Sequence, residues 1–158
     1  MRSHDLTPGR MIGITFDHGE DFFTALGDAC RAHGIRHGYI PVFIAGFSTV
    51  EIVGTCQRLD NPQAPVWDRV HLSNVEAFGG GTIAYDQADD RVLPHIHVSV
   101  GLKEHSATGH TSHLLAATVQ FLTEMLIIEV AGPAMRRVPD PTLYDVPLLR
   151  FGDSGEDR

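Results

Sequence analysis

Only one stretch of this chain has clear helical spacing, and that constrains the fold more than any other feature. In DHGEDFFTALGDACRAHGI, residues 17–35, the apolar side chains Phe22, Phe23, Leu26, Ala29 and Cys30 recur along one face of a 3.6-residue period. Asp21 stands where a helix wants a capping oxygen, and Gly34 where its end wants a left-handed residue. Most of the remainder is rich in β-branched and aromatic residues and punctuated by turn formers. A first strand is expected over RMIGITFD, and two or three more over residues 35–59, broken at Gly38, Gly46 and Gly54. About three follow over 69–102, with Gly79–Gly81 marking a turn, bulge or close backbone approach. GHTSHLLAATV, 109–119, reads as a short helix, and QFLTEMLIIEVAG, 120–132, as a strand carrying Glu124 and Glu129. DNPQAPVWD, with Pro62 and Pro65, reads as a loop, and the segment from Pro133 as a Pro-rich extension holding the apolar piece YDVPLLRF. Many short strands with one strong helix predict an α+β fold with a largely antiparallel sheet. A helix covers one face, and a partner subunit is a common way to close the rest.

The chain has 158 residues, enough for one domain that buries a core without disulfides. We expect a polar leader over 1–9, a domain over 10–150 including its C-terminal extension, and a disordered tail over 151–158. Hydrophobic residues make up 42% and charged residues 20%, as in ordinary globular proteins. Twenty acidic against twelve basic side chains give a formal charge of −8, and the arginines are scattered apart from the pair Arg136 and Arg137. That balance argues against binding nucleic-acid phosphates. Cys30 and Cys56 form no metal-binding spacing. No apolar leader or bilayer-length run is visible, so a cytoplasmic location without membrane association is expected.

Four of the ten histidines fall within PHIHVSVGLKEHSATGH, Pro94 to His110. Residues two apart on a strand share a face, roughly 6.5–7 Å apart, so His95 and His97 can aim at one ion while Ile96 faces the other way. A third ligand must come from elsewhere. His110 and His113, three apart at the start of the expected helix, could both face one way, and His105 lies in the loop. Three imidazoles with water make an open metal site, which polarises a carbonyl or lowers the pKa of water. His4, His18, His33, His37 and His71 have no such spacing.

In order along the chain, GEDFFTALGDACRAHGI, GFSTVEIVG, PHIHVSV and GHTSHLLAATVQFLTEMLI resemble the motifs of the plants-and-prokaryotes conserved (PPC, or PCC) domain, from about Ile12 to Val130. The resemblance implies an antiparallel sheet flanked by helices, assembled as a homotrimer. In plants the domain follows an AT-hook that enters the DNA minor groove. This chain has no such Arg-Gly-Arg segment, so that role is not carried over. Some stand-alone prokaryotic members bind zinc through the HxH and Gly-His positions, here His95, His97 and His110, with His113 as second choice. The fold is also similar to that of acetolactate decarboxylase, whose metal rests on an HxH pair and a further histidine, helped by glutamates.

Two functions follow as expectations. One is a trimeric zinc protein acting on a small keto- or hydroxy-acid in a lyase- or decarboxylase-like step, the metal stabilising an enediolate. Glu51 and Glu124 are then the candidates for proton transfer or ligation. For each, a structural carboxylate is the competing reading: Glu51 at a strand edge or interface, Glu124 accepting from a ligating imidazole or forming an intersubunit ion pair. The other function is a non-catalytic assembly or DNA-associated regulatory module, with direct DNA binding disfavoured by the charge. No arginine for substrate binding stands out from the sequence.

Overall fold

The computed structural model describes residues 3–55, 67–102 and 105–152. Its strands are β1 (Thr7–Asp17), β2 (Gly38–Thr55), β3 (Trp67–Asp86), β4 (Arg91–Leu102), β5 (His105–Gly132), β6 (Met135–Asp140) and β7 (Val146–Phe151); α1 (Phe22–His33) joins β1 to β2, and a 3-10 turn (Pro141–Leu143) lies between β6 and β7. The helix is the one expected. Asp21 caps it by accepting from the Thr24 amide at 2.8 Å, and Gly34 closes it at φ 65°.

The strands are fewer and longer than their glycines suggested. Residues 38–55 are one strand and 67–86 another. The short helix expected over 109–119 is absent, because that segment is the first half of β5. The chain enters the sheet at Thr7, so the last residues of the polar leader are strand. YDVPLLRF contributes β7, which pairs with β6 as a hairpin. Cys56, the proline loop up to residue 66, and the tail from residue 153 lie outside the described residues.

All pairings are antiparallel, in the order β1-β5-β2-β3-β4, with β4 returning to β5. The 28 residues of β5 make this closure possible. One edge of β5 pairs with β2 from His113 to Glu129. The other edge serves β4 over His105–His113 and β1 over Leu122–Gly132. The sheet therefore closes as a barrel, and the architecture is mostly antiparallel β with a single α-helix among the described residues, not a sheet flanked by several helices.

α1 lays Phe22, Leu26 and Cys30 into the barrel core, where Phe22 meets Phe16, Phe43 and Phe47 at ring-centroid distances of 5.6, 5.2 and 5.7 Å. Removing a fully buried phenylalanine ring costs about 3–5 kcal/mol, so Phe22 anchors the helix. Burial also pushes the Cys30 thiol up to about 11, which leaves it an inert core side chain. On β4, Ile96, Val98 and Val100 point into the core, which turns residues 95, 97 and 99 outward. Gly79–Gly81 is a place of close approach: a Cβ on Gly81 would overlap the His95 carbonyl oxygen. Outside the barrel, the β6–β7 hairpin rests on Ala84 and Val130 through Met135, Leu149 and Phe151. Among the described residues no helix is long and apolar enough to cross a membrane.

Candidate metal centre

The outward residues of β4 meet those of β5. His97 stands directly opposite His113 in the ladder, and directly opposite residues share a face. His95, two residues along, joins them. The three rings lie with centroids 5.1 Å (His95–His97), 4.7 Å (His95–His113) and 5.6 Å (His97–His113) apart, the first pair stacked with an interplanar angle of 1°.

One ring nitrogen from each of the three lies within 4.8 Å of those of the other two, and His95 Nε2 sits 3.1 Å from His97 Nε2. Nitrogens bound tetrahedrally to zinc at 2.0–2.1 Å are about 3.3 Å apart. The first pair therefore already stands at ligand spacing. His113 Nδ1 is buried with no hydrogen-bond partner, and an unpaired buried ring nitrogen is costly unless something fills the site. Burial lowers the His95 pKa to about 4, with the Arg137 charge and the other two imidazoles adding to it. Burial, then His97 and Arg137, lowers that of His113 as well. Both rings are thus kept neutral at physiological pH, the form that ligates a metal. The residues present fit a divalent ion.

The trio faces a cleft of about 650 Å³. Its barrel wall carries Val53, Arg69 and Leu115, and its far wall is the bend between β6 and β7, Tyr144 to Pro147. In that bend Tyr144 and Asp145 both take left-handed conformations, at φ 57° each. Non-glycine residues in this region store strain, which collects at functional sites.

The placement of the other candidates differs from the sequence-based expectation. His110 is not brought to the pair; it is exposed and stands opposite Val100, on the face of β5 away from His113. The side chain of His105 is outside the described set. Glu51 shares the outer barrel face but is held by Arg69 at 2.9 Å and by His71 Nδ1 at 3.4 Å. Glu124 is exposed eleven residues beyond His113 on β5, roughly 35 Å along the strand, opposite Thr15 and Ile44. Neither carboxylate reaches the histidines within the chain.

Two arginines that sequence spacing did not single out do approach the site. Arg69 stands opposite Val53, and Val53 opposite His113, so Arg69, Val53, His113 and His97 form one row across four strands. Arg137, on β6, acts on His95 and His113 through its charge. Only strand register and the docking of the hairpin bring them there, and no local motif encodes either.

Solved structures share this architecture. A metal-containing protein of Archaeoglobus fulgidus is 20% identical with a TM-score of 0.78, over 95% of this chain and 99% of that one. A proposed DNA-binding protein of Bacteroides thetaiotaomicron is 19% identical at TM-score 0.70, over 92% and 96%. The α-acetolactate decarboxylase of Bacillus subtilis is 14% identical at TM-score 0.50, over 89% of this chain and 60% of that one, a likeness of fold alone. No curated protein matches the sequence. Residues 4–131, with the helix, the barrel strands and all three histidines, match the Plants and Prokaryotes Conserved (PCC) domain, and the chain belongs to that family.

Proposed function

We propose that this PCC-domain protein is a homotrimeric metalloprotein in which His95, His97 and His113 hold one zinc ion beside an open cleft, where a small keto- or hydroxy-acid undergoes a lyase- or decarboxylase-like step. The observation that carries the reading is the convergence of three ring nitrogens within 4.8 Å on adjacent strands, facing a cleft. The metal-containing relative from Archaeoglobus supports it. When bound, zinc with three imidazole ligands keeps a position open for substrate or water and acts there as a Lewis acid.

The chain's own residues set what the cleft accepts. His95 and His113 stay neutral and need lose no proton on ligation. Arg69, fixed by Glu51, contributes positive charge to the wall, while Val53, Leu115 and Val146 limit water. With Glu51 committed to Arg69, its role in this reading is to position that guanidinium.

A second reading, a non-catalytic assembly module, is favoured by one observation. Phe78 is 59% and Ile44 49% exposed, side by side across β3 and β2, and Leu122 is 42% exposed beside them on β5. Apolar clusters of this kind mark contact surfaces, and in the homotrimer they serve assembly alongside the metal site.

Elemental analysis of protein purified without a polyhistidine tag tests the choice. One zinc per protomer, and a melting temperature that drops after chelation, are expected. Metal-free protein whose melting is unaffected by chelator or added zinc would reject the first reading and leave the second.

A further inference from the structure

Arg137 is a cation lacking a carboxylate partner at the edge of the metal cleft. Its Nη2 donates to Thr82 Oγ1 at 2.5 Å and its Nη1 to the Pro147 carbonyl at 3.5 Å, while Nε is buried with no acceptor. Among the described residues no carboxylate lies within ion-pairing distance of it. Thr82 is the residue directly opposite His95 on the neighbouring strand, where paired Cα atoms are about 4.5–5.5 Å apart. Pro147 belongs to the far wall of the cleft. The guanidinium is therefore tethered between β3, the neighbour of the strand that carries His95 and His97, and the opposing bend. Its charge reaches the rings of His95 and His113, and burial lowers its own pKa. Asp145, the described carboxylate lining the cleft, is exposed at the rim and pairs with neither Arg137 nor Arg69.

Burying a guanidinium beside the imidazoles of His95 and His113 is unfavourable unless an anion completes the arrangement. A divalent ion on those imidazoles would add positive charge and sharpen the demand. The planar fork of an arginine matches a carboxylate better than any other side chain does.

We propose that Arg137 is the anion-recognition element of the cleft, binding the carboxylate of a small 2-oxo- or 2-hydroxy-acid whose other oxygens face the three histidines. This rests on the metal reading above and names the group that selects the substrate class. Fixed to Thr82 and Pro147, Arg137 makes the β6–β7 hairpin part of the site. Acids lacking an oxygen beside the carboxylate then have one anchor where the proposed ligands have two.

Isothermal titration of oxalate into zinc-loaded protein tests this, with zinc content measured on the same samples. Wild-type protein should bind one oxalate per protomer. Arg137→Gln should keep its zinc and lose about tenfold or more in oxalate affinity, as expected for a charge-assisted, forked contact. Arg137→Lys, which retains the charge but not the fork, should fall between. Zinc-loaded wild type that takes no oxalate, or an Arg137→Gln variant with full zinc and unchanged affinity, overturns the assignment and leaves the metal reading standing. If Arg137→Gln does not fold, the lysine variant decides, and wild-type affinity there overturns the forked contact. Absence of zinc in the wild type removes the metal reading and this proposal with it.

Discussion

His113 Nδ1 is buried without a partner, whereas His110 is exposed on the other face of the same strand. The two substitutions should therefore differ. His113→Ala and His97→Ala should each lose stoichiometric zinc in elemental analysis, and His110→Ala should keep one ion per protomer; zinc loss in His110→Ala alone would reassign the third ligand. The HxH pair was legible in the sequence because two-residue spacing has one meaning on a strand. The third histidine of the cluster was not, because the meaning of its spacing depends on the element. On a helix, residues three apart lie on one face, which made His110 and His113 equivalent. On a strand they point to opposite faces, and 109–119 is strand only because β4 and β2 flank it. Arg69 and Arg137 were illegible for the same reason: the neighbours that give them a role lie in other strands.

Among the elements, β1, β5 and the end of α1 are tied together by one ion pair. Arg10 Nε and Nη2 donate to the two Glu129 oxygens at 2.8 Å each, its backbone N–H adds a third bond at 3.1 Å, and Nη2 also reaches the His33 carbonyl at 2.8 Å. The Arg10 side chain, then its backbone amide, holds the Glu129 carboxyl at about 2, below its ordinary 4.5. A depressed folded-state pKa means that the unfolded chain takes up the proton first. The stabilisation is thus complete above about 4.5 and is lost as pH falls through about 2. Glu129→Gln should cost about 1 kcal/mol near pH 7, the upper range for a partly exposed pair. Urea midpoints measured against pH should show wild type and variant converging toward pH 2, and a difference that persists there would assign the effect to packing. α1 was legible because its caps and apolar stripe are local. Strand lengths were not, since the glycines taken as turns include points of close approach: a Cβ on Gly46 would lie 2.5 Å from the Gln120 carbonyl oxygen in the middle of β2.

The whole molecule presents both apolar surface and a strong negative charge, and each bears on its partners. Phe121 is 69% exposed in a left-handed conformation at φ 70°, in the β5 bulge that also exposes Leu122. Exposed apolar side chains on a strained backbone are features that mark contact surfaces, which agrees with the proposed assembly. Light scattering at micromolar concentration should therefore give three times 17.3 kDa, and a monomer mass would contradict the proposed trimer. The proposed trimer would triple the charge of −8, which would set the terms for nucleic acid. Binding to duplex DNA depends on clustered lysine and arginine releasing counterions. The one adjacent basic pair in this chain is poorly placed for that. Arg136 Nε donates to the Gly152 carbonyl at 2.8 Å, and Arg137 is bonded to Thr82 and to the Pro147 carbonyl beside the cleft. Both are partly buried, so exposing them to a polyanion would mean undoing the hairpin's own contacts. Long-range repulsion opposes approach to a polyanion as well. An anisotropy titration with duplex DNA at about 150 mM salt, where the Debye length is about 8 Å, should show no submicromolar binding. Submicromolar affinity that falls steeply with added salt would overturn this and favour the regulatory module over the metal-site chemistry.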